Sequence, residues 1–417
     1  MSAEVKSPSA TAAGVPAPGR VALDASALSK PRFTALPPLS LYVHIPWCVR
    51  KCPYCDFNSH AAPEALPEEP YVDALIADLE TSLPLVWGRK VGSIFIGGGT
   101  PSVFSAAAID RLLAAIRARL PIAPDAEVTL EANPGTFERE RFAGYYAGGV
   151  NRLSLGIQSF DDRHLQALGR VHDATEARRA AEAALMIFGN VNLDLMFALP
   201  GQDVDDALRD VRAALGFGPA HLSFYHLTIE PNTLFHRYPP RIPDDETAAD
   251  IEEAILFALD AAGYVHYETS AHAKPGRECR HNVNYWRFGD YLGIGAGAHS
   301  KLSFPDRVLR QLRWKQPRQY LEQVAKDSPL QEEVEVSRHD LPFEFMLNAL
   351  RLTEGVPSAM FAERTGLPIG VAASAIGEAV RKGLLEPDPA VLRPTPLGRR
   401  FLNDLQSLFL AERGGRA

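Results

Sequence analysis

Cys48, Cys52 and Cys55 stand within eight residues, spaced C-x3-C-x2-C in the segment YVHIPWCVRKCPYCDFNSH. Three soft thiolates on one tight loop can hold three corners of a cubane iron–sulfur cluster. The fourth iron is then left without a protein ligand, open to a small cofactor, unless Cys279 reaches it from far along the chain. Structural zinc is the competing chemistry. It asks for four ligands in closed pairs, and no second pair accompanies these three. Pro53 would break a helix carrying all three thiols, so the segment reads as a loop. With four cysteines in 417 residues, a disulfide scaffold is excluded and a metal centre in a reducing cytoplasm is expected.

Such a loop needs a rigid strand before it, and LYVHI (41–45) supplies one. SIFIG (93–97), EVTLE (127–131), RLSLGIQ (152–158), NLDLMFAL (192–199) and HLSFYHL (221–227) are of the same kind. All are short, rich in β-branched and aromatic residues, and bounded by Gly, Pro or Asn. Between them, 71–83, 106–120, 175–188 and 203–215 place Leu, Ile, Val and Ala at helical spacing. Strand and helix in alternation predict an α/β fold, a parallel sheet with helices packed outside. The pattern admits an open doubly wound sheet or an incomplete barrel, and both bind ligands at the C-terminal ends of their strands.

Polar residues gather at those ends. Gly97-Gly98-Gly99-Thr100-Pro101 follows the second strand, where glycines let the backbone approach a polar ligand closely. Glu131 closes the third strand and can accept from an ammonium or a ribose hydroxyl. Gln158 ends the fourth, and Arg170 offers a fork suited to a carboxylate. Asp194 lies inside an otherwise apolar strand, where an unpaired charge is costly and a ligand would account for it.

The flanking regions differ in texture. Residues 1–38 are rich in Ala, Pro and Ser without a sustained period and read as a disordered tail. The alternating pattern spans 39–270, a connecting segment 271–330, and a C-terminal α+β unit of winged-helix type 331–417. That unit shows helices at 343–351, 358–364 and 371–382, a short wing at 384–393 and a closing helix at 395–409. With 43 basic and 51 acidic residues the net charge is −8, so the unit is expected to pack or contact protein rather than nucleic acid. No apolar run is long enough to span a bilayer. The start lacks the charge and apolar pattern of a secretory signal.

The thiol loop after the first strand resembles the signature of the radical S-adenosylmethionine superfamily, whose members are built on a partial (β/α)6 barrel. Within it, residues 39–410 are similar to the group containing oxygen-independent coproporphyrinogen III oxidases and HemW-type heme chaperones. The resemblance implies a [4Fe-4S] cluster on Cys48, Cys52 and Cys55 with S-adenosylmethionine beside it. It implies that Gly98, Gly99 and Thr100 hold the methionine amino group. Tyr42, Tyr54, Glu131, Gln158, Arg170 and Asp194 match the remaining cofactor positions.

Two departures separate the branches of that group. The oxidase pattern continues as C-x3-C-x2-C-x-C, and Phe57 stands where its last cysteine would be. The oxidases also carry an ordered N-terminal extension, against the low-complexity tail here. Both differences resemble the chaperone branch, which implies heme as cargo and an acceptor protein, still unidentified, as partner. HNVNYW (281–286) matches the HNxxYW motif of that branch, making His281 the first axial-ligand candidate and His299 the second. GIGAGA (293–298) lacks the βαβ setting of a dinucleotide site.

Overall fold

The computed structural model describes residues 30–135 and 138–410. Six parallel strands form its centre: β1 Leu39–Ile45, β2 Val91–Gly98, β3 Ile122–Ala132, β4 Arg152–Gln158, β5 Val191–Phe197 and β6 His221–His226. They lie side by side in chain order. A doubly wound sheet would reverse direction from its first strand, so the winding is that of a barrel. The edges never meet. Asp290–Ile294 pairs parallel with the outer side of β1, followed by antiparallel His299–Phe304, Arg307–Arg313 and Leu330–Glu335. Ala271–Ala273 and Val265–Glu268 extend the sheet beyond β6. The result is a partial barrel in a twelve-stranded sheet.

Side chains alternate along these strands, as the pleat demands. Leu41, Val43, Ile94, Ile96, Leu130, Leu153, Leu155, Leu193, Leu195, Leu222 and Phe224 face outward into the main core under the helices. Their neighbours, including Tyr42, Phe95, Glu131, Ser154, Asp194 and Ser223, line one internal cavity instead. A filled barrel would put branched aliphatics there. The outer helices bury the apolar face: Glu68–Ser82, Ala106–Arg119, Ala174–Ile187 and Val204–Phe217. Asp173 and Asp203 open the last two with reciprocal capping boxes.

Several boundaries differ from those read in the sequence. Residues 1–29 of the expected tail lie outside the described residues. Residues 30–38 are bonded: Arg32 N–H donates to Gly366 and Phe33 N–H to Pro305. Leu330–Glu335 belongs to the large sheet, although it falls at the expected start of the C-terminal unit. That unit has its own core around Phe345, Phe361 and Leu405. Its three helices run Leu341–Ala349, Ala359–Thr365 and Ala373–Arg381, and the closing helix breaks into Pro396–Arg400 and Leu402–Ser407. The wing is reduced to a bridge between Leu385 and Pro394 and a two-residue pairing of Val391–Leu392 with Val356–Pro357. Among the described residues, no helix is long and apolar enough to cross a membrane.

Candidate functional site

The loop after β1 is fixed along its length. Trp47–Cys48 pairs with His60–Ala61. Thr100 N–H donates to the Trp47 carbonyl, and Phe235 N–H to that of Pro53. Arg50 donates to the Gly169 carbonyl at 2.8 Å. A Cβ on Gly169 (φ +67°) would press 2.9 Å from the Pro53 ring, so that glycine lets the two segments meet.

Each thiol has a polar neighbour. Thr100 Oγ1 lies 3.4 Å from Cys48 Sγ, Arg170 Nη1 3.4 Å from Cys52 Sγ, and Ser59 Oγ 3.5 Å from Cys55 Sγ. One tetrahedral zinc with bonds of about 2.3 Å would draw its sulfurs to within about 4 Å of one another. Among the described residues, Asp161, His164 and Asp206 are the group whose ligand atoms fall within 4.8 Å of one another, and the three thiols form no such group. Thiols that lie wider apart fit a multi-iron cluster better than a single ion. Cys279 does not join them. It is buried below the cavity, 3.7 Å from Glu127, and burial pushes its thiol up to about 12.

The cavity measures about 560 Å³. Cys48, Cys52 and Cys55, with Tyr42, Tyr54, Gly98, Gly99, Thr100, Glu131, Gln158, Arg170 and Asp194, all line it, as does His281. His299 does not; it sits exposed at the start of an added strand. The glycine cradle is steric. A Cβ on Gly98 (φ +117°) would lie 2.6 Å from the His44 ring, and one on Gly99 2.6 Å from the Trp47 carbonyl oxygen.

Glu131 accepts from Gly98 N–H at 3.0 Å, yet burial and the charge of Asp194 raise its carboxyl to about 7. Asp194 accepts from Ser154 and Asn192, both at 2.8 Å, and burial raises it as well. Arg170 donates to Asn133 and to the Gly156 carbonyl, leaving its buried Nε without a partner. A glycine cradle, an orphaned guanidinium N–H and two polar acids suit the amino-acid and ribose groups of S-adenosylmethionine.

Below the acids the cavity reaches the N-terminal ends of the strands, closed by the helix Arg280–Trp286. His281 Nδ1 meets Ser93 Oγ at 3.1 Å, and Phe95 and Tyr285 flank the ring. Its Nε2 is buried without a partner, and burial with the Arg152 charge lowers the imidazole to about 3. With Nδ1 engaged by Ser93, Nε2 is the ring nitrogen left for a ligand. Sequence reading passed over Arg152, Asn192, His221, Ser223 and Tyr225, which also line this space. Their signal was present: each is a polar or amphipathic residue at the alternate position of an apolar strand.

Comparison with known proteins agrees with this architecture. The radical SAM superfamily model matches residues 42–214, and the HemN C-terminal domain model matches residues 336–401. The solved coproporphyrinogen III oxidase (HemN) of Escherichia coli superposes with a TM-score of 0.77 over 90% of each chain, at 24% identity, a likeness of fold. Fold and thiol loop thus define a radical SAM protein. The heme chaperone HemW of Escherichia coli K12 is 52% identical over 379 residues, covering 90% of this chain and 99% of its own. HemW of Bacillus subtilis 168 is 33% identical over 381 residues, with 89% and 99% covered. The chain belongs to the HemW family.

Proposed function

We propose that the chain is a heme chaperone: it binds heme in the cavity through His281 and passes it to an acceptor protein in the cytoplasm. Cys48, Cys52 and Cys55 would hold a [4Fe-4S] cluster. S-adenosylmethionine would lie against Tyr42, Tyr54, Gly98, Gly99, Thr100, Glu131, Gln158, Arg170 and Asp194. When bound, that pair supplies an iron open to the cofactor's amino-acid end and a source of single electrons. The observation that carries the heme reading is His281 Nε2, buried without a partner in a cavity walled by aromatic rings. Family membership points the same way, since relatives matched over nearly their whole length are named heme chaperones. His299, outside the cavity, is the weaker ligand candidate.

Each of the chain's own groups has a task in this reading. Ser93 orients the imidazole, Phe95 and Tyr285 offer an apolar wall to a flat macrocycle, and burial keeps the ligand nitrogen unprotonated. The test is a hemin titration of anaerobically reconstituted protein, followed in the Soret band, beside His281→Ala. One heme per chain with a shifted band, weakened at least tenfold in the variant, is the expected result. No saturable binding by either protein would sink the reading. It would favour anaerobic oxidation of coproporphyrinogen III, despite Phe57 in place of that branch's last cysteine.

A further inference from the structure

Arg152 opens strand β4 and is 2% exposed. A guanidinium carries five N–H donors, yet this one donates no hydrogen bond among the described residues. Its ion-pair contact is Glu127, with Oε2 4.0 Å from Nε, too far to satisfy a donor. Glu127 is engaged elsewhere: its Oε1 takes the His281 N–H at 3.3 Å and the Cys279 thiol at 3.7 Å. The acids higher in the cavity are engaged too, Asp194 by Ser154 and Asn192, and Glu131 by Gly98. An ionised group taken from water without matched acceptors is costly, so the fold retains a cation that its own chain does not complete.

Arg152 is not the one unpartnered donor among the residues lining this cavity. Trp286 Nε1 is a buried donor without a partner, its ring held by Arg351 at 4.3 Å. Arg152, Trp286 and His281 line the same cavity, and Arg152 and His281 both approach Glu127. Two N–H groups without a partner, the cationic Arg152 Nε and the neutral Trp286 Nε1, therefore belong to the same cavity as the unpartnered imidazole nitrogen of His281. A carboxylate answers such donors because it accepts two hydrogen bonds and neutralises the charge.

We propose that Arg152 and Trp286 form a carboxylate clamp that takes a propionate of the tetrapyrrole bound through His281. The proposal rests on the heme reading above and adds to it a recognition element for the free acid. S-adenosylmethionine also bears a carboxylate, and the test separates the two sources.

Hemin and hemin dimethyl ester, whose propionates are blocked, are titrated into the reconstituted full chain and into Arg152→Gln, Arg152→Lys and Trp286→Phe. S-adenosylmethionine affinity is measured in parallel by equilibrium dialysis. Wild type should prefer hemin to its ester by at least tenfold. Arg152→Gln should bind both at the ester's affinity, Arg152→Lys should restore part of the preference, and Trp286→Phe should lose part of it. S-adenosylmethionine affinity should stay within twofold throughout. Equal binding of hemin and ester by wild type overturns the clamp while leaving heme binding intact, and so does a full preference retained in Arg152→Gln. A tenfold loss of S-adenosylmethionine affinity in Arg152→Gln, with the hemin preference kept, assigns the arginine to the cofactor and overturns the proposal. Absence of saturable hemin binding in wild type sinks both readings together. If Arg152→Gln fails to fold, the wild-type ester comparison with Arg152→Lys and Trp286→Phe decides.

Discussion

Arg313 and Arg152 are both buried in this sheet, at 0% and 2% exposure, and they are treated in opposite ways. Arg313 joins an added strand to the first outer helix. It donates to Asp78 Oδ1, Ser300 Oγ, Gln311 Oε1 and Ser82 Oγ at 2.6–3.3 Å, while Tyr320 O–H and Gly295 N–H satisfy the other oxygen of Asp78. Arg152, at the cavity floor, has none of this. The first is a closed network that locks the added strands to the barrel. The second is an open one. Burial alone therefore does not mark a functional charge; the state of its hydrogen bonds does.

This contrast can be broken by measuring stability. Removing one member of a satisfied buried ion pair strands the other, so Arg313→Ala should cost about 3–5 kcal/mol in chemical denaturation. A loss below about 1 kcal/mol would mean that the network is not what holds these strands.

Glu131 sharpens the contrast from the acid side. Its folded carboxyl sits near 7, above its ordinary 4.5, through burial and Asp194. A raised carboxyl imposes no penalty below the unfolded value and costs stability as pH climbs through the folded one. Metal-free Glu131→Gln should therefore match wild type near pH 4.5 and exceed it by about 1–3 kcal/mol at pH 8. Equal stability at both pH values would show that this acid is comfortable without a ligand.

The smallest effect belongs to Arg152. Arg152→Gln relieves an unmatched buried charge but also strands Glu127, its ion-pair contact at 4.0 Å; these oppose each other, so the stability of the unliganded protein should change by about 1 kcal/mol or less. A loss comparable to that of Arg313→Ala would make it a structural residue and erase the distinction.

Much of the central fold was legible in the sequence because its strands announce themselves twice, by apolar runs and by Gly, Pro or Asn at their ends. RLSLGIQ was bounded to the residue, and the four outer helices to within three. The added strands were not legible. Gly293, Gly295 and Gly297 break their apolar run, and Lys301 and Ser303 look like surface residues. In the fold, Lys301 is buried because Asp290 and the Phe288 carbonyl meet its ammonium, both at 3.0 Å. A partner eleven residues away across a strand pair leaves no periodic trace.

The site divides along the same line. Residue type and local spacing are enough to mark the thiol loop, the glycine cradle, the acids Glu131 and Asp194 within their strands, and Arg170 beyond the strand between those two. The sequence also placed His281 in a recognisable motif. Long-range packing wound the strands in order around a cavity instead of reversing them. It sent His281 to the floor of that cavity and His299 outside it, and it kept Cys279 apart from the other thiols. It also left Arg152 and Trp286 unmatched. The reason is physical: whether a buried donor is satisfied depends on acceptors brought from distant strands, and no single segment contains them.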